Sequence, residues 1–363
     1  MKVDSVSQRL IQVPLGAARG GSGATSLQLL HVTVLDTGGA AGTGFTYALT
    51  GGLTGARAIL AEVMTPLAVG TDLLDWARTW HKLWDLTHRL GRGAALPALS
   101  ALDIAIWDLR AHRAGLPLFR LLGAQRDAVP IYGSGRSTHA MTDAELVGGA
   151  VSYVDEGYQA VKLRAGALGI ERDIARVAAV RAEVGPGIAL MVDCNERLDL
   201  AQAHRLAYRL GDLDVAWLEE PLRSDDVDGH AQLAARSPVP IAAGEHLQGR
   251  FEVKQYLDRQ AAAVLMPDAP ITGGVTEWLR IATLAEASSV AVSPHFLPEL
   301  HVHLAAAAPA ATFVEHFPLL DDVLEETLTV RDGMVEPPAR AGHGIQWDKA
   351  ALDRFELEQD NFS

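Results

Sequence analysis

The chain has 363 residues, 48% of them hydrophobic, enough for one large core with a smaller unit beside it. A net charge of −14, carried by scattered acidic residues, offers no basic surface to a nucleic-acid backbone. The opening MKVDSVSQRL lacks the apolar stretch of a secretion signal, and alanine-rich runs such as LAAAAPAA are too short to span a bilayer.

A single cysteine, Cys194, permits no internal disulfide and suits a reducing compartment. The expectation is a cytoplasmic globular protein with neither nucleic-acid nor membrane partners, assembled as a homo-oligomer.

Residues 1–125 read as an α+β unit. Strand-like stretches, SLQLLHVTVLDT and GTGFTYALT, are accompanied by the glycine-rich GAARGGSGA and followed by helices. The last helix, SALDIAIWDLRAHRAG, carries Leu102, Ile106 and Leu109 at helical spacing, with Ser100 as the expected N-cap and Gly115 and Pro117 as stop signals.

Residues 126–325 alternate short apolar strands with helical stretches. The strands are expected at VPIYGS, AVKLRAG, ALMVDCN, VAWLEEP, IAAGE, AVLMPDAP, VAVSPHF and TFVEHF. Eight strands with helical crossovers predict a parallel α/β barrel. An open doubly wound sheet is the competing architecture, but no glycine-rich phosphate loop follows the first strand. Residues 326–363 continue no strand–helix repeat and are expected to pack back on the N-terminal unit.

In a barrel of this type the chemistry gathers where the strands end. Three successive strand ends carry Asp193, Glu219 and Glu245, each 26 residues after the last. Three carboxylates in one mouth repel unless a hard cation with oxygen ligands neutralises them, and Mg2+ is the expected ion. Glu220 must face away from Glu219 on an extended strand and is the weaker ligand candidate. The next two strand ends supply Asp268 and His295, a pair in which the carboxylate fixes the tautomer and raises the basicity of the imidazole. Glu315 follows on the last strand. Lys162 and Arg164, two apart on one strand, point two cations to the same side. His301 and His303 lie in a helical stretch, where residues two apart share no face, and read as structural.

KLR, DCN, WLEEP, AGE, MPD, SPH and FVE, in that order, resemble the enolase superfamily and its mandelate racemase subgroup, and ALDIAIWDLRAHRAGLPLFRLLG resembles that family's N-terminal domain helix. The resemblance implies a (β/α)7β modified TIM barrel with an N-terminal α+β capping domain. It also implies magnesium on Asp193, Glu219 and Glu245, an Asp268–His295 base dyad, and a protonated Glu315 donating to a substrate carboxylate oxygen. Members of the muconate cycloisomerase subgroup carry a lysine where this chain has Asp268. The shared chemistry removes a proton α to a carboxylate, which demands concentrated positive charge to hold the enediolate.

Family members with two bases carry lysine at both cationic positions, whereas here the second is Arg164. A guanidinium, with a pKa above about 12, is a poor base and a good binder of carboxylates. With His295 as the one ordinary base, dehydration of an aldonate or aldarate to a 2-keto-3-deoxy acid is expected first. Lactone cycloisomerisation is expected second and racemisation third. The glycine-rich loops at 16–24 and 45–52 are expected to cover a small carboxylate substrate, with Arg19, Tyr47, Arg136, Asn195 and His246 as candidate contacts.

Overall fold

The structure is a computed structural model that describes residues 1–357, and of residues 17–19 the backbone alone. The chain begins with a 17-residue strand, β1 (Val3–Arg19), ahead of the two expected strand-like stretches. Polar residues crowd its first half, yet Leu10, Ile11, Val13 and Leu15 are all buried. It pairs antiparallel with β2 (Ala24–Asp36), which pairs in turn with β3 (Ala41–Leu49).

The helix Arg92–Ala114 packs on β3 so closely that two glycines are required. A Cβ on Gly42 would run into Ala105 O and Leu109, and one on Gly44 into Ala101 O and Ala105 N. The helix starts well before Ser100, which corrects the expected N-cap. Pro97 lies inside it, where packing carries the helix past a residue that ordinarily ends one. Buried Ser100 instead links two elements: its hydroxyl donates to Leu96 O at 2.9 Å and accepts from Gly273 N at 2.9 Å. Gly115 ends the helix in the left-handed conformation, φ 64°, as its place in the sequence suggests.

Eight parallel strands form the barrel: β4 (Val129–Gly133), β5 (Ala160–Arg164), β6 (Ala189–Asp193), β7 (Val215–Glu219), β8 (Ile241–Ala243), β9 (Val264–Leu265), β10 (Ala291–Val292) and β11 (Val314–His316). Each pairs with the next as far as β10, and β11 returns to β4. A bridge between Val292 and Ala311 closes the ring, so the fold is the barrel and not the open sheet. Tyr132, Ala160, Met191, Trp217, Ala242, Val264 and Met266 form one apolar cluster that fills its lower interior.

Downstream, the short hairpin β12 (Val330–Arg331) and β13 (Met334–Val335) lies antiparallel on β4. The helix Lys349–Phe355 lies beside β1, where Leu357 N donates to Leu10 O at 2.8 Å. Hydrogen bonds fix the N-terminal unit to the barrel. Thr46 donates to Pro270 O at 2.8 Å, and Asp103 accepts from Thr276 N at 2.8 Å. No helix among the described residues is long and apolar enough to cross a membrane.

Candidate active site

Strand register decides which charges meet. Arg164 is level with Asp193, and Asp193 with Glu219, so these three side chains leave neighbouring strands at one height. The Arg164 guanidinium contacts Asp193 Oδ2. Lys162, one pleat lower, donates to Glu219 Oε1 at 2.5 Å and lies 2.9 Å from Glu315 Oε1 and 3.7 Å from Asp193 Oδ2. Trp217 Nε1 donates to the other Glu219 oxygen at 3.0 Å. All these groups are buried, so the cations and acids hold each other in place. Glu245 follows β8 at the same rim, with Oε1 3.5 Å from His295 Nε2.

The dyad stands on the opposite arc. His295 Nδ1 lies 3.0 Å from Asp268 Oδ2. Sequence reasoning placed Tyr47 only as a substrate contact, but its hydroxyl donates to the same Asp268 oxygen at 2.6 Å and lies 3.3 Å from His295 Nδ1. Phe296 stacks on the imidazole with ring centroids 3.6 Å apart, and its φ of 51° shows backbone held in an unfavourable region beside the dyad.

Electrostatics separate the roles. Burial works against the Lys162 charge, but Glu219 and Glu315 outweigh it and hold the ammonium above its usual range. Burial drives His295 well below the usual imidazole range, towards the neutral form that can accept a proton, and drives Asp268 well above the carboxylate range against the pull of the Tyr47 hydrogen bond. For Glu315 burial is outweighed by Lys162, His295 and Arg164, which bring it down to about 2. Its Oε2 receives Phe296 N at 3.0 Å. Burial, reinforced by Glu219 and opposed by His246, pushes Glu245 up to about 7.

Part of this group opens on a cavity of about 320 Å³. Arg164, Asp193, Asn195, Glu245, His246 and His295 line it on the barrel side. The turn Gly20–Ser22 and the stretch Tyr47–Leu49 close it from the N-terminal unit. The turn sits so low that a Cβ on Gly21 would meet the Asn195 side chain. Asn195 lies between partners, its Nδ2 3.2 Å from Asp193 Oδ2 and its Oδ1 3.1 Å from His139 Nε2. The apolar lining from Leu15, Ile271, Phe296, Phe317 and Leu319 carried no sequence signal beyond ordinary core composition.

Of the expected contacts, Arg136 does not line the cavity. Arg136 faces the other way, paired with Glu156 at 2.6 Å and bonded to Ser152 at 2.9 Å, because that acid on the following helix satisfies its charge. The Arg19 side chain lies outside the described residues. His301 and His303 point to opposite neighbours: His301 lies 2.7 Å from Phe296 O and accepts from Ala269 N, while His303 lies 2.8 Å from His343 O and accepts from Phe119 N.

Comparison with known proteins gives the same architecture. Residues 145–351 match the family described as enolase C-terminal domain-like, and residues 2–123 the mandelate racemase/muconate lactonizing enzyme N-terminal domain. The chain is 37% identical to an L-talarate/galactarate dehydratase of Salmonella typhimurium, over 90% of this chain and 82% of that protein. It is 33% identical to a 3,6-anhydro-alpha-L-galactonate cycloisomerase of Streptomyces coelicolor, over 90% of this chain and 91% of the other. The crystal structure of an L-talarate dehydratase from Polaromonas sp. JS666, complexed with Mg and L-glucarate, superposes with a TM-score of 0.94 at 36% identity, covering 98% of each chain.

Proposed function

Because the chain belongs to the enolase superfamily, in its mandelate racemase branch, we propose that it is a magnesium-dependent carbon–oxygen lyase that dehydrates an aldonate or aldarate to a 2-keto-3-deoxy acid. The observation that carries this reading is the division of labour across the cavity. His295, with Nδ1 held by Asp268, lines the cavity on one side, while Arg164 is engaged with Asp193 on the other.

The proposed holders of a divalent cation are Asp193, Glu219 and Glu245. They are three buried carboxylates at successive strand ends, and Glu245 is destabilised as an anion by burial and by Glu219, a cost that a hard cation relieves. Magnesium bound there supplies positive charge to the substrate carboxylate and acidifies the α-proton.

The chain's own groups do the rest. Lys162, held protonated, lies where it adds charge to an enediolate oxygen. Arg164 Nε, buried and without a hydrogen-bond partner among the described residues, is available to orient a substrate carboxylate or hydroxyl. His295 Nε2 takes the α-proton, since Nδ1 is occupied by Asp268. The resulting imidazolium then donates that proton to the departing β-hydroxyl. Bulk water is limited by the Gly20–Ser22 turn and the apolar walls.

Cycloisomerisation of a sugar lactone uses the same first step and is the second reading, favoured by the Streptomyces coelicolor relative. A cytoplasmic location and a homo-oligomeric assembly complete the proposal. Incubating the protein with a panel of acid sugars and Mg2+, and assaying 2-keto-3-deoxy products, tests it. Product from at least one aldarate or aldonate, abolished by chelator, is expected; turnover unaffected by chelator would refute the metal assignment.

A further inference from the structure

The strand ends that carry Asp193, Glu219 and Glu245 carry a second group of donors just beyond them. Glu196 follows β6, Glu220 follows β7 and His246 follows β8, and one ligand atom from each lies within 4.8 Å of the other two. Glu219 turns into the barrel to meet Lys162, while Glu220, one residue past the end of β7 and with φ 40°, lies with Glu196 and His246.

Glu220 is 2% exposed, and its Oε1 has no hydrogen-bond partner among the described residues. Its Oε2 is 3.8 Å from His246 Nε2, beyond hydrogen-bond reach. A carboxylate buried in this way needs a proton or a cation. Among the described residues no lysine or arginine bonds to it; Lys162 and Arg164 are already engaged with Glu219, Glu315 and Asp193. Glu196 is held in place by Ser224 N, which donates to its Oε1 at 2.5 Å. A second cavity, of about 370 Å³, opens on Ser224 and His246 from outside and gives an entry path.

We propose that Glu196, Glu220 and His246 bind a second divalent cation, distinct from the one on Asp193, Glu219 and Glu245. One imidazole with two carboxylates favours a borderline ion such as Zn2+ or Mn2+, whereas the all-oxygen group favours Mg2+. His246 also lines the substrate cavity, so a cation on it fixes the orientation of one wall residue. This site requires no particular reaction at the first.

The test uses chelator-stripped protein reloaded with excess Mg2+ and titrated with Zn2+, with uptake measured by elemental mass spectrometry and the ion located by anomalous diffraction at the zinc edge. One zinc peak between Glu220 and His246 is expected, retained in Asp193→Asn, where the first group is disabled. Glu220→Gln and, independently, Glu196→Gln should each weaken that uptake by about tenfold or more. Thermal melting identifies a variant that fails to fold, and the other acid then decides. Zinc only on Asp193, Glu219 and Glu245, or uptake unchanged in a folded Glu220→Gln protein, overturns the proposal; in that case Glu220 is simply a protonated acid.

Discussion

Tyr47, on the N-terminal sheet, donates a 2.6 Å hydrogen bond to Asp268, 221 residues away in the barrel, and through it touches the dyad. The N-terminal unit therefore does more than line the cavity. It holds the carboxylate that orients the base, and Thr46, bonded to Pro270 O, anchors the same strand. Tyr47→Phe should lower the rate of α-proton exchange by about tenfold while KM changes little, because the phenol acts on Asp268 and not on the substrate. A large rise in KM with an unchanged exchange rate would make Tyr47 a substrate contact instead.

His295→Asn should stop α-proton exchange, and Asp268→Asn should slow it by about a hundredfold or more, with ligand binding retained in both. The check is deuterium incorporation measured by proton NMR. Exchange at the parental rate in His295→Asn would remove His295 as the base.

Arg164→Lys keeps a positive charge but replaces a permanently charged group by a titratable amine beside Lys162. The variant should gain slow exchange with the α-epimer that the parent leaves untouched. If the parent already exchanges both epimers rapidly, Arg164 is acting as a base and racemisation moves ahead of dehydration.

Glu299 offers a prediction about stability. Burial raises its carboxyl from an ordinary 4.5 to about 8, so the folded chain keeps a proton that the unfolded chain releases. The associated stability is complete below pH ~4.5 and is lost as the pH rises through about 8. Glu299→Gln should therefore melt with the parent in acid but a few degrees higher at pH ~8. Parallel melting curves across that range would contradict the assignment.

The strand ends were legible because their signal is local. A short apolar run ending in polar or ionisable residues is complete within a few residues, and eight such runs in order specify a barrel. What escaped was non-local or lacked a period. Nothing near Arg136 reveals that Glu156 will claim its charge, and nothing near Tyr47 points to Asp268. The surroundings of Glu315 likewise exist only once β5, β10 and β11 are assembled: Lys162 lies 2.9 Å from its Oε1, and Phe296 N donates to its Oε2. Strand β1 was hidden by its polar first half, and the start of the helix Arg92–Ala114 by the proline inside it.

The most direct test of the account follows an aldarate found in the acid-sugar screen through a single reaction in D2O with Mg2+, with substrate and product observed together by proton NMR. A 2-keto-3-deoxy product should accumulate, with exchange of the α-proton confined to one epimer, and both signals should vanish in His295→Asn. Exchange of both epimers without loss of the β-hydroxyl would contradict the central claim, that one imidazole opposite a non-basic Arg164 carries out an elimination.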